Sequence, residues 1–232
     1  MLNMRGINKM RPGFFATFEG PEGVGKSTHI IKLYDRLTQY GYNVIKTREP
    51  GGTPLGESIR GLLQHDLGNE PPCAEAEVLL FAAARAQHVQ RLILPAIKSG
   101  KVVLCDRFIH SSGSYQGLGR GFGYQTILDA NHLAIKDCMP DLTFLIDIPY
   151  EESQRRLSAR YSKNKETPDR IERESEDFHR RIRDGFLELQ AKDPNRIILL
   201  NGMQEIDAVQ SQIWEKLMEN QLWREYAKPQ TS

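Results

Sequence analysis

Apolar residues in this chain fall into two kinds of pattern that alternate along its length. Short runs rich in aromatic and β-branched residues, typical of buried strands, occupy residues 14–18, 43–47, 101–105, 142–147 and 196–201. Between these runs, apolar side chains recur every three or four positions, as they do along one face of a helix. Over 232 residues, this alternation predicts one compact α/β domain with a sizeable core.

Several of the predicted helices have recognisable ends. The first follows residue 25 and stops near Gly41, and the second is expected to start at Thr53, because Pro54 suits the first helical position. Pro95 is expected to close the helix that begins at residue 74. The helices after the first are predicted over residues 55–64, 74–94, 125–136, 178–189 and 208–219.

Three segments are expected to lack regular structure. Residues 111–123 are rich in Gly and Ser and predict a loop that can wrap a ligand. Within a highly charged stretch, residues 158–169 break the helical pattern, so we expect a mobile flap at about 156–170 whose cations close over phosphates. Residues 1–12 show no signal-peptide pattern and are expected to be a flexible tail, with a single domain over 13–232.

Composition and charge exclude several classes of protein. The formal charge of +1 argues against a protein that coats nucleic acid. No apolar run approaches the roughly 18 residues that a membrane span needs. Cys73, Cys105 and Cys138 lie far apart and form no metal-binding pattern, which favours a reducing cytoplasm. We therefore expect a cytoplasmic protein with no nucleic-acid or membrane partner.

The strongest chemical signal is Gly-Pro-Glu-Gly-Val-Gly-Lys-Ser at residues 20–27, directly after the first predicted strand. This is the phosphate-loop pattern, in which curled backbone N–H groups surround phosphate oxygens. Lys26 is expected to reach the outer phosphates, and the Ser27 hydroxyl to bind Mg²⁺. The predicted ATP site consists of Gly20, Pro21, Glu22, Gly23, Val24, Gly25, Lys26, Ser27 and Thr28.

Charged residues also follow two other predicted strands. Asp106 and Arg107 follow residues 101–105, and Arg48 follows residues 43–47 beside a turn rich in Pro and Gly. Ligands gather at the carboxyl ends of strands in doubly wound sheets. Asp106 is therefore a candidate for orienting magnesium, and the two arginines for binding anions. The alternatives are a structural salt bridge for the first pair and an ordinary surface position for Arg48.

Phe81 and Arg85 lie four residues apart in a predicted helix and so share one face. An aromatic ring with a guanidinium one turn away suits a nucleobase, which would stack on the ring and accept a hydrogen bond at its edge. The alternative places Phe81 in the core and leaves Arg85 solvated.

In combination these motifs resemble those of the bacterial thymidylate kinases, a family of phosphate-loop nucleoside monophosphate kinases. The resemblance covers about residues 14–214 and includes Arg-Glu-Pro-Gly-Gly-Thr from residue 48, Asp-Arg-Phe from 106, Ser-Tyr-Gln-Gly from 114 and Asp-Arg-Ile-Glu from 169. It implies a P-loop NTPase fold with three α/β/α layers and a five-stranded parallel sheet of order 2-3-1-4-5. It also implies ATP and dTMP as substrates, Mg²⁺ as cofactor and a homodimer.

The resemblance further implies roles for residues of the acceptor site. Glu22 would bind the deoxyribose 3′-hydroxyl, while Arg48 and Arg107 would hold the acceptor phosphate. Phe81 would stack on thymine, and Arg85 would contact its O4. Ser112 or Gln116 would contact the pyrimidine edge, and Tyr115 would exclude a ribose 2′-hydroxyl.

The implied catalytic set is Lys26, Asp106, Arg107 and one flap arginine. Some members of the family carry an arginine in the phosphate loop, but this loop has none, so the catalytic arginine is expected in the flap. Arg160 is the first choice and Arg170 the second. The flap is longer than is usual for the family, which leaves Arg156, Lys163 and Lys165 as alternatives.

Other functions stay open at this point. One alternative is a kinase that phosphorylates another nucleoside monophosphate, and only the family resemblance favours dTMP over it. A GTPase-like switch would need an Asn-Lys-x-Asp guanine motif, and residues 164–167 have Thr in place of the Asp. A DNA-translocating ATPase is disfavoured by the neutral charge and by the lack of a second domain.

Overall fold

A parallel β-sheet forms the centre of the protein. A computed structural model of the chain describes residues 12–65 and 70–228, so the predicted tail lies outside the described residues except for Pro12. Within these ranges the sheet has five strands in the order β2-β3-β1-β4-β5, all parallel. The strands are β1 (Phe14–Glu19), β2 (Val44–Arg48), β3 (Val102–Asp106), β4 (Leu142–Asp147) and β5 (Ile197–Asn201). The predicted sheet order is thereby confirmed.

Helices cover both faces of this sheet. The longer ones are α1 (Lys26–Gln39), α2 (Pro54–Gln64), α3 (Ala74–His88), α6 (Tyr124–Ile135), α7 (Tyr150–Asn164), α8 (Glu176–Lys192) and α9 (Ile206–Glu219). Three shorter ones are α4 (Leu94–Lys98), α5 (Ile109–Ser112) and α10 (Gln221–Tyr226). The predicted start of α2 is confirmed, since Thr53 caps it through its side chain and Pro54 is its first residue.

Alternate residues of β1 pack into two separate cores. Phe14, Ala16 and Phe18 join a cluster with side chains of α1, α9 and α10. Phe15 points to the opposite face and joins a cluster with side chains of α3, α4 and α6. A strand buried on both faces is the expected centre of a parallel sheet with helices on each side.

The sheet register brings functional candidates to one edge. Asp106 lies opposite Phe18 of β1 and Arg48 of β2. The pairing continues past the strand ends, because the Arg107 N–H donates to the Phe18 carbonyl. The charged residues that follow these strands therefore meet beside the phosphate loop.

The helix that begins at Ala74 continues through Pro95, so the prediction that Pro95 closes it is wrong. A π-helical turn, Val89–Ile93, follows α3 and leads into α4, in which Pro95 occupies the first turn. A proline lacks the N–H that an α-helix interior needs. The π-helical turn already changes the hydrogen-bond ladder at this point, and the proline is tolerated there.

The prediction of a loop over residues 111–123 is also wrong for most of this segment. Helix α5 is followed by a π-helical segment, Gly113–Gly119, most of which is buried. Its glycines permit close packing: a Cβ on Gly113 would lie 2.7 Å from the Tyr124 ring, and one on Gly119 would lie 2.8 Å from the Phe178 ring. Glycine here signals contact between helices and not a flexible loop.

The flap predicted at about 156–170 is helical in its first half. Helix α7 continues to Asn164 and ends with Lys165 in the left-handed conformation. Ser158 and Asn164 are expected to break the helix, but such residues lower helix stability only slightly, and the buried Leu157 anchors the preceding turn of α7. The mobility of the flap stays a prediction.

No helix in the described part of the chain has the length and apolar composition of a membrane span.

Helix α10 closes the core at one end of β1. Trp223 is 1% exposed and makes an edge-to-face contact with Phe14, with ring centroids 5.1 Å apart. Its ring also lies 5.0 Å from that of Tyr42. The central strand therefore depends on a helix that follows all of the other described elements.

We expect Trp223→Ala to lower the free energy of unfolding by about 3–5 kcal/mol, because it leaves a cavity beside Phe14. Urea unfolding followed by circular dichroism measures this loss. Met203→Ala, at an exposed position, is the control and should change stability by less than about 0.5 kcal/mol. A similar small change for Trp223→Ala would contradict the role given to α10.

Candidate active site

A cleft of about 720 Å³ opens at the carboxyl edge of the sheet. Its walls come from the phosphate loop, the ends of β2 and β3, α3, the π-helical segment and α7. The predicted site residues that line it are Glu22, Gly23, Gly25, Lys26, Ser27, Thr28, Arg48, Phe81, Arg85, Asp106, Arg107, Ser112, Tyr115, Gln116 and Arg160. Gly20, Pro21 and Val24 are not among the lining residues, and the Val24 side chain belongs to the core.

The phosphate loop leaves the amino end of α1 available for an anion. Gly25 precedes α1 with φ 95°, and neither a side-chain cap nor an acidic residue occupies the first turn. Such a helix end carries partial positive charge. The Lys26 ammonium donates to the carbonyls of Gly20 and Pro21, at 3.0 and 2.7 Å. Burial, aided by Arg107, lowers the pKa of Lys26 to about 8 against the opposing effect of Glu22.

A hydroxyl and a carboxylate meet beside this helix end. The Ser27 hydroxyl donates to Asp106 Oδ2 at 3.0 Å. Mg²⁺ prefers oxygen ligands, retains several waters and needs only one or two protein groups beside the phosphates. The described residues hold no cluster of three or more His, Cys, Asp and Glu side chains for a metal. The Ser27–Asp106 pair therefore fits a magnesium ion that a nucleotide brings with it.

Arg107 connects the phosphate loop to the π-helical segment. Its backbone φ is 68°, and its guanidinium donates to the Gly20 carbonyl, Ser111 Oγ, Glu22 Oε1 and Tyr115 Oη at 2.6–3.1 Å. Burial alone would lower the pKa of Arg107, but nearby Glu22 outweighs it and raises the pKa. The guanidinium is thus fixed and charged at the centre of the cleft.

Glu22 is the acidic partner of this guanidinium. Burial alone would raise its pKa, yet Arg107 and then Lys26 lower it to about 2. Tyr115 also donates to Glu22 Oε1, at 3.3 Å. The side chain is therefore an anion in a strongly cationic surrounding, available to accept a hydrogen bond from a ligand.

Arg85 is buried, which contradicts the alternative in which it is solvated. It is 1% exposed, and donates to Glu49 through Nε, to Asn131 through Nη1, and to Ser112 and the Phe108 carbonyl through Nη2. An arginine has five N–H groups. One N–H on Nη1 is thus left without an acceptor among the described residues, and Arg85 lines the cleft.

Glu49 holds Arg85 in this position. Glu49 Oε1 also accepts a hydrogen bond from His88 Nδ1 at 3.1 Å, and His88 Nε2 lies 2.7 Å from Thr47 Oγ1. Thr47, Glu49 and His88 thus connect β2, and the turn that follows it, to α3. Phe81, one turn before Arg85, is half-buried and lines the same part of the cleft.

Three predicted cations differ in what they contact. Arg48 pairs with Glu57 at 2.8 Å and is exposed. Arg160 is 42% exposed and donates to Glu172 at 2.9 Å. Arg170 is not among the residues that line the cleft, and it donates to Glu77 and to the Leu63 carbonyl. Among the two flap arginines considered first, Arg160 is the one that lines the cleft.

Comparison with known proteins gives the family. A family model described as Thymidylate kinase matches residues 18–213. The chain belongs to the thymidylate kinase family. It is similar to the thymidylate kinase of Halothermothrix orenii, with 47% identity over 208 residues, 88% of this chain and 96% of that protein. With the thymidylate kinase of Exiguobacterium sibiricum it shares 42% identity over 206 residues, 89% and 94% of the two chains.

A solved structure supports the same family. The crystal structure of the thymidylate kinase of Ehrlichia chaffeensis superposes with a TM-score of 0.69 at 35% identity, covering 88% of this chain and 98% of that one. The predicted fold and family are thereby confirmed.

Several polar residues in or beside the candidate site were not predicted from the sequence. They are Glu19, Glu49, Glu77, His88, Ser111 and Asn131. The sequence did mark the positions of two of them, because Glu19 directly precedes the phosphate loop and Glu49 belongs to the Arg-Glu-Pro-Gly-Gly-Thr motif. The others lie in helices or helical turns, and only the fold brings them to the site. Gln116, predicted at the pyrimidine edge, donates to Glu77 at 2.8 Å.

Glu19 provides a pH-dependent contribution to stability. Its fully buried carboxyl accepts from the Phe108 N–H and from Ser111 Oγ. Burial raises its pKa from 4.5 to about 7, although Ser111 and Arg107 oppose the rise. The folded state thus keeps this proton to a higher pH than the unfolded state does.

The contribution of Glu19 should be fully present below about pH 4.5 and be lost as the pH rises to about 7. Between pH 4.5 and 8 we expect the free energy of unfolding of the wild type to fall by up to about 3 kcal/mol relative to Glu19→Gln. Urea unfolding of both proteins at several pH values measures the difference. A difference that does not change with pH would show that Glu19 titrates normally in the folded protein.

Proposed function

We propose that this protein transfers the γ-phosphoryl group of ATP to dTMP and so produces dTDP. The observation that carries the proposal is that the phosphate-loop residues Lys26 and Ser27 line the same cleft as Phe81 and Arg85, the pair proposed to bind the base. Arg107 lies between the two groups, where a phosphate acceptor must meet its donor. Membership of the thymidylate kinase family supports thymidylate as the acceptor.

The donor side would act through position and charge. The amides at the start of α1 and the Lys26 ammonium would bind the outer phosphates of ATP. Ser27 and Asp106 would hold Mg²⁺, which supplies charge neutralisation on the phosphates when it is bound. Little covalent assistance is needed in phosphoryl transfer, so holding the reactants in line accounts for most of the rate.

The acceptor side would fix the nucleotide at both ends. Arg107 and Arg48 would hold its phosphate, which overcomes the repulsion between two anionic substrates. The free N–H of Arg85 would donate to thymine O4 while Phe81 stacks on the ring. Glu22 would accept from the 3′-hydroxyl, and Tyr115, at hydrogen-bond distance from Glu22, would occupy the space of a ribose 2′-hydroxyl.

The proposal also includes a homodimeric assembly and a cytoplasmic location. A homodimer is supported by leucines exposed on α3 and on α2 and α6, the two helices that contact α3. These are Leu55, Leu62, Leu79 and Leu133. A cytoplasmic location is supported by the wide separation of Cys73, Cys105 and Cys138 along the sequence, which favours a reducing compartment.

The proposal is tested by following ADP release with ATP and Mg²⁺ while the monophosphates of thymidine, deoxyuridine, cytidine, adenosine and guanosine are offered separately. We expect the fastest turnover with dTMP. Arg107→Ala should lower kcat/KM about a thousandfold or more, because it removes the cation at the acceptor phosphate. Arg155→Ala is the control: this arginine of α7 is 71% exposed and pairs with Glu152. ATP binding without phosphorylation of any monophosphate would favour a regulatory nucleotide-binding protein.

A second test identifies the flap cation. Arg160→Ala should lower kcat about a hundredfold, because a cation near the transferred group stabilises charge in the transition state. The KM for dTMP should change little. Lys163→Ala and Arg156→Ala test two alternative cations of the same helix, of which Arg156 also lines the cleft. If either of these variants loses turnover while Arg160→Ala keeps it, the catalytic cation has been assigned to the wrong residue.

A further inference from the structure

Glu77 of α3 is the centre of a buried charge cluster outside the nucleotide contacts proposed above. Its side chain is 1% exposed. Oε1 accepts from Gln116 at 2.8 Å, while Oε2 accepts from Arg120 and Arg170 at 3.0 and 2.6 Å. These partners belong to the π-helical segment, to the residue that follows it, and to the carboxyl end of the flap. One carboxylate thus joins three parts of the cleft wall.

The cluster is balanced in charge. Burial alone would raise the pKa of Glu77, but hydrogen bonds from Arg120, Gln116 and Arg170 outweigh burial and lower the pKa. Arg120 also pairs with Glu174, at 2.6 Å. Two arginines and two carboxylates therefore offset each other, and removing one inner member leaves a buried charge without its partner.

Arg170 connects Glu77 to the flap. Besides its bond to Glu77, its Nε donates to the Leu63 carbonyl and its backbone N–H donates to the Gln64 carbonyl. Gln64 in turn donates to Asp169 at 2.8 Å. The end of the flap is therefore attached both to α2 and to α3.

A short turn continues this connection to Arg160. Asp169 Oδ1 accepts from the N–H groups of Ile171 and Glu172. Glu172 Oε2 accepts from the Asp169 N–H, and Glu172 Oε1 accepts from Arg160 at 2.9 Å. The position of the Arg160 guanidinium thus depends on a turn that Arg170 anchors.

Glu77 is also close to the residues proposed to bind the acceptor nucleotide. It lies one helical turn before Phe81 and two turns before Arg85, on the same helix. Its partner Gln116 is adjacent to Tyr115. Glu77 therefore connects the helix that carries the proposed base-binding residues to the flap.

We propose that Glu77 is a positioning residue that sets the place of Arg160 relative to the bound acceptor, through Arg170 and the turn at residues 169–172. The inference rests on the proposed kinase function. Glu77 contacts neither substrate in this scheme, and its effect is exerted through the flap cation.

Steady-state kinetics of Glu77→Gln test this inference, because glutamine keeps the shape and removes the charge. We expect kcat to fall about tenfold or more, since small displacements of a catalytic group are costly. The KM for dTMP should change less than about threefold, since Phe81 and Arg85 keep their places. Glu174→Gln removes an equal charge from the outer part of the cluster and should leave kcat within about twofold of the wild type. An unchanged kcat in Glu77→Gln would overturn the inference.

A double-mutant cycle separates positioning from general damage. In an Arg160→Ala background, Glu77→Gln should lower kcat by less than about twofold further, because residues that act through one another are not additive. Multiplicative losses would mean that Glu77 acts by another route, and would overturn the proposal. If Glu77→Gln does not fold, Arg170→Gln removes the same link, while Glu77 keeps Arg120 and Gln116.

Limited digestion with trypsin tests the attachment of the flap without turnover. Cleavage after Arg160, Lys163 and Lys165, located by mass spectrometry, should be faster in Glu77→Gln than in the wild type and unchanged in Glu174→Gln. Equal cleavage in all three proteins would overturn the anchoring role. A wild type that digests as expected but does not phosphorylate dTMP would instead refute the proposed function.

Discussion

Burial of charge is the constraint on which the site depends. Lys26, Arg107 and Arg85 are largely withdrawn from water at the carboxyl edge of the sheet. An unpaired ion in such surroundings is very costly, so each cation needs a carboxylate or a carbonyl within hydrogen-bond distance. Arg107 forms an ion pair with Glu22, and Arg85 forms one with Glu49. The Lys26 ammonium donates to two carbonyls of the phosphate loop. The polar groups of the cleft are thereby held in place before any ligand binds.

This arrangement bears on how substrates bind. A phosphate at the proposed acceptor position would meet the Arg107 guanidinium already oriented by Glu22, Ser111 and Tyr115. Little side-chain freedom then remains to be lost on binding, which favours affinity and precise alignment. Arg160 differs, because it is partly exposed and attached to Glu172 on a turn outside the sheet. The cations beside the sheet are thus buried and held by several partners, whereas Arg160 is a partly exposed residue of α7.

The sequence predicted those features whose cause is local. A phosphate loop needs glycines and a lysine at fixed spacing, and a strand end beside it places Asp106 and Arg107. The burial of Arg85 was not predictable in this way, because its partners Glu49, Asn131 and Ser112 lie 36, 46 and 27 residues away. The prediction of a loop at residues 111–123 failed for a related reason. Glycine permits both a loop and close packing, and the sequence does not show that the rings of Tyr124 and Phe178 pack against these glycines.

The contact between Phe14 and Trp223 also has a consequence for biosynthesis. A ribosome makes β1 before the other described strands, but α10 is completed only after all five strands of the described sheet have been synthesised. Until then the Phe14 ring lacks its edge-to-face partner, and the apolar surface around it stays open to water or to other chains. The final step of core formation in the described part of the chain is therefore tied to the synthesis of α10 and not to the formation of the phosphate loop.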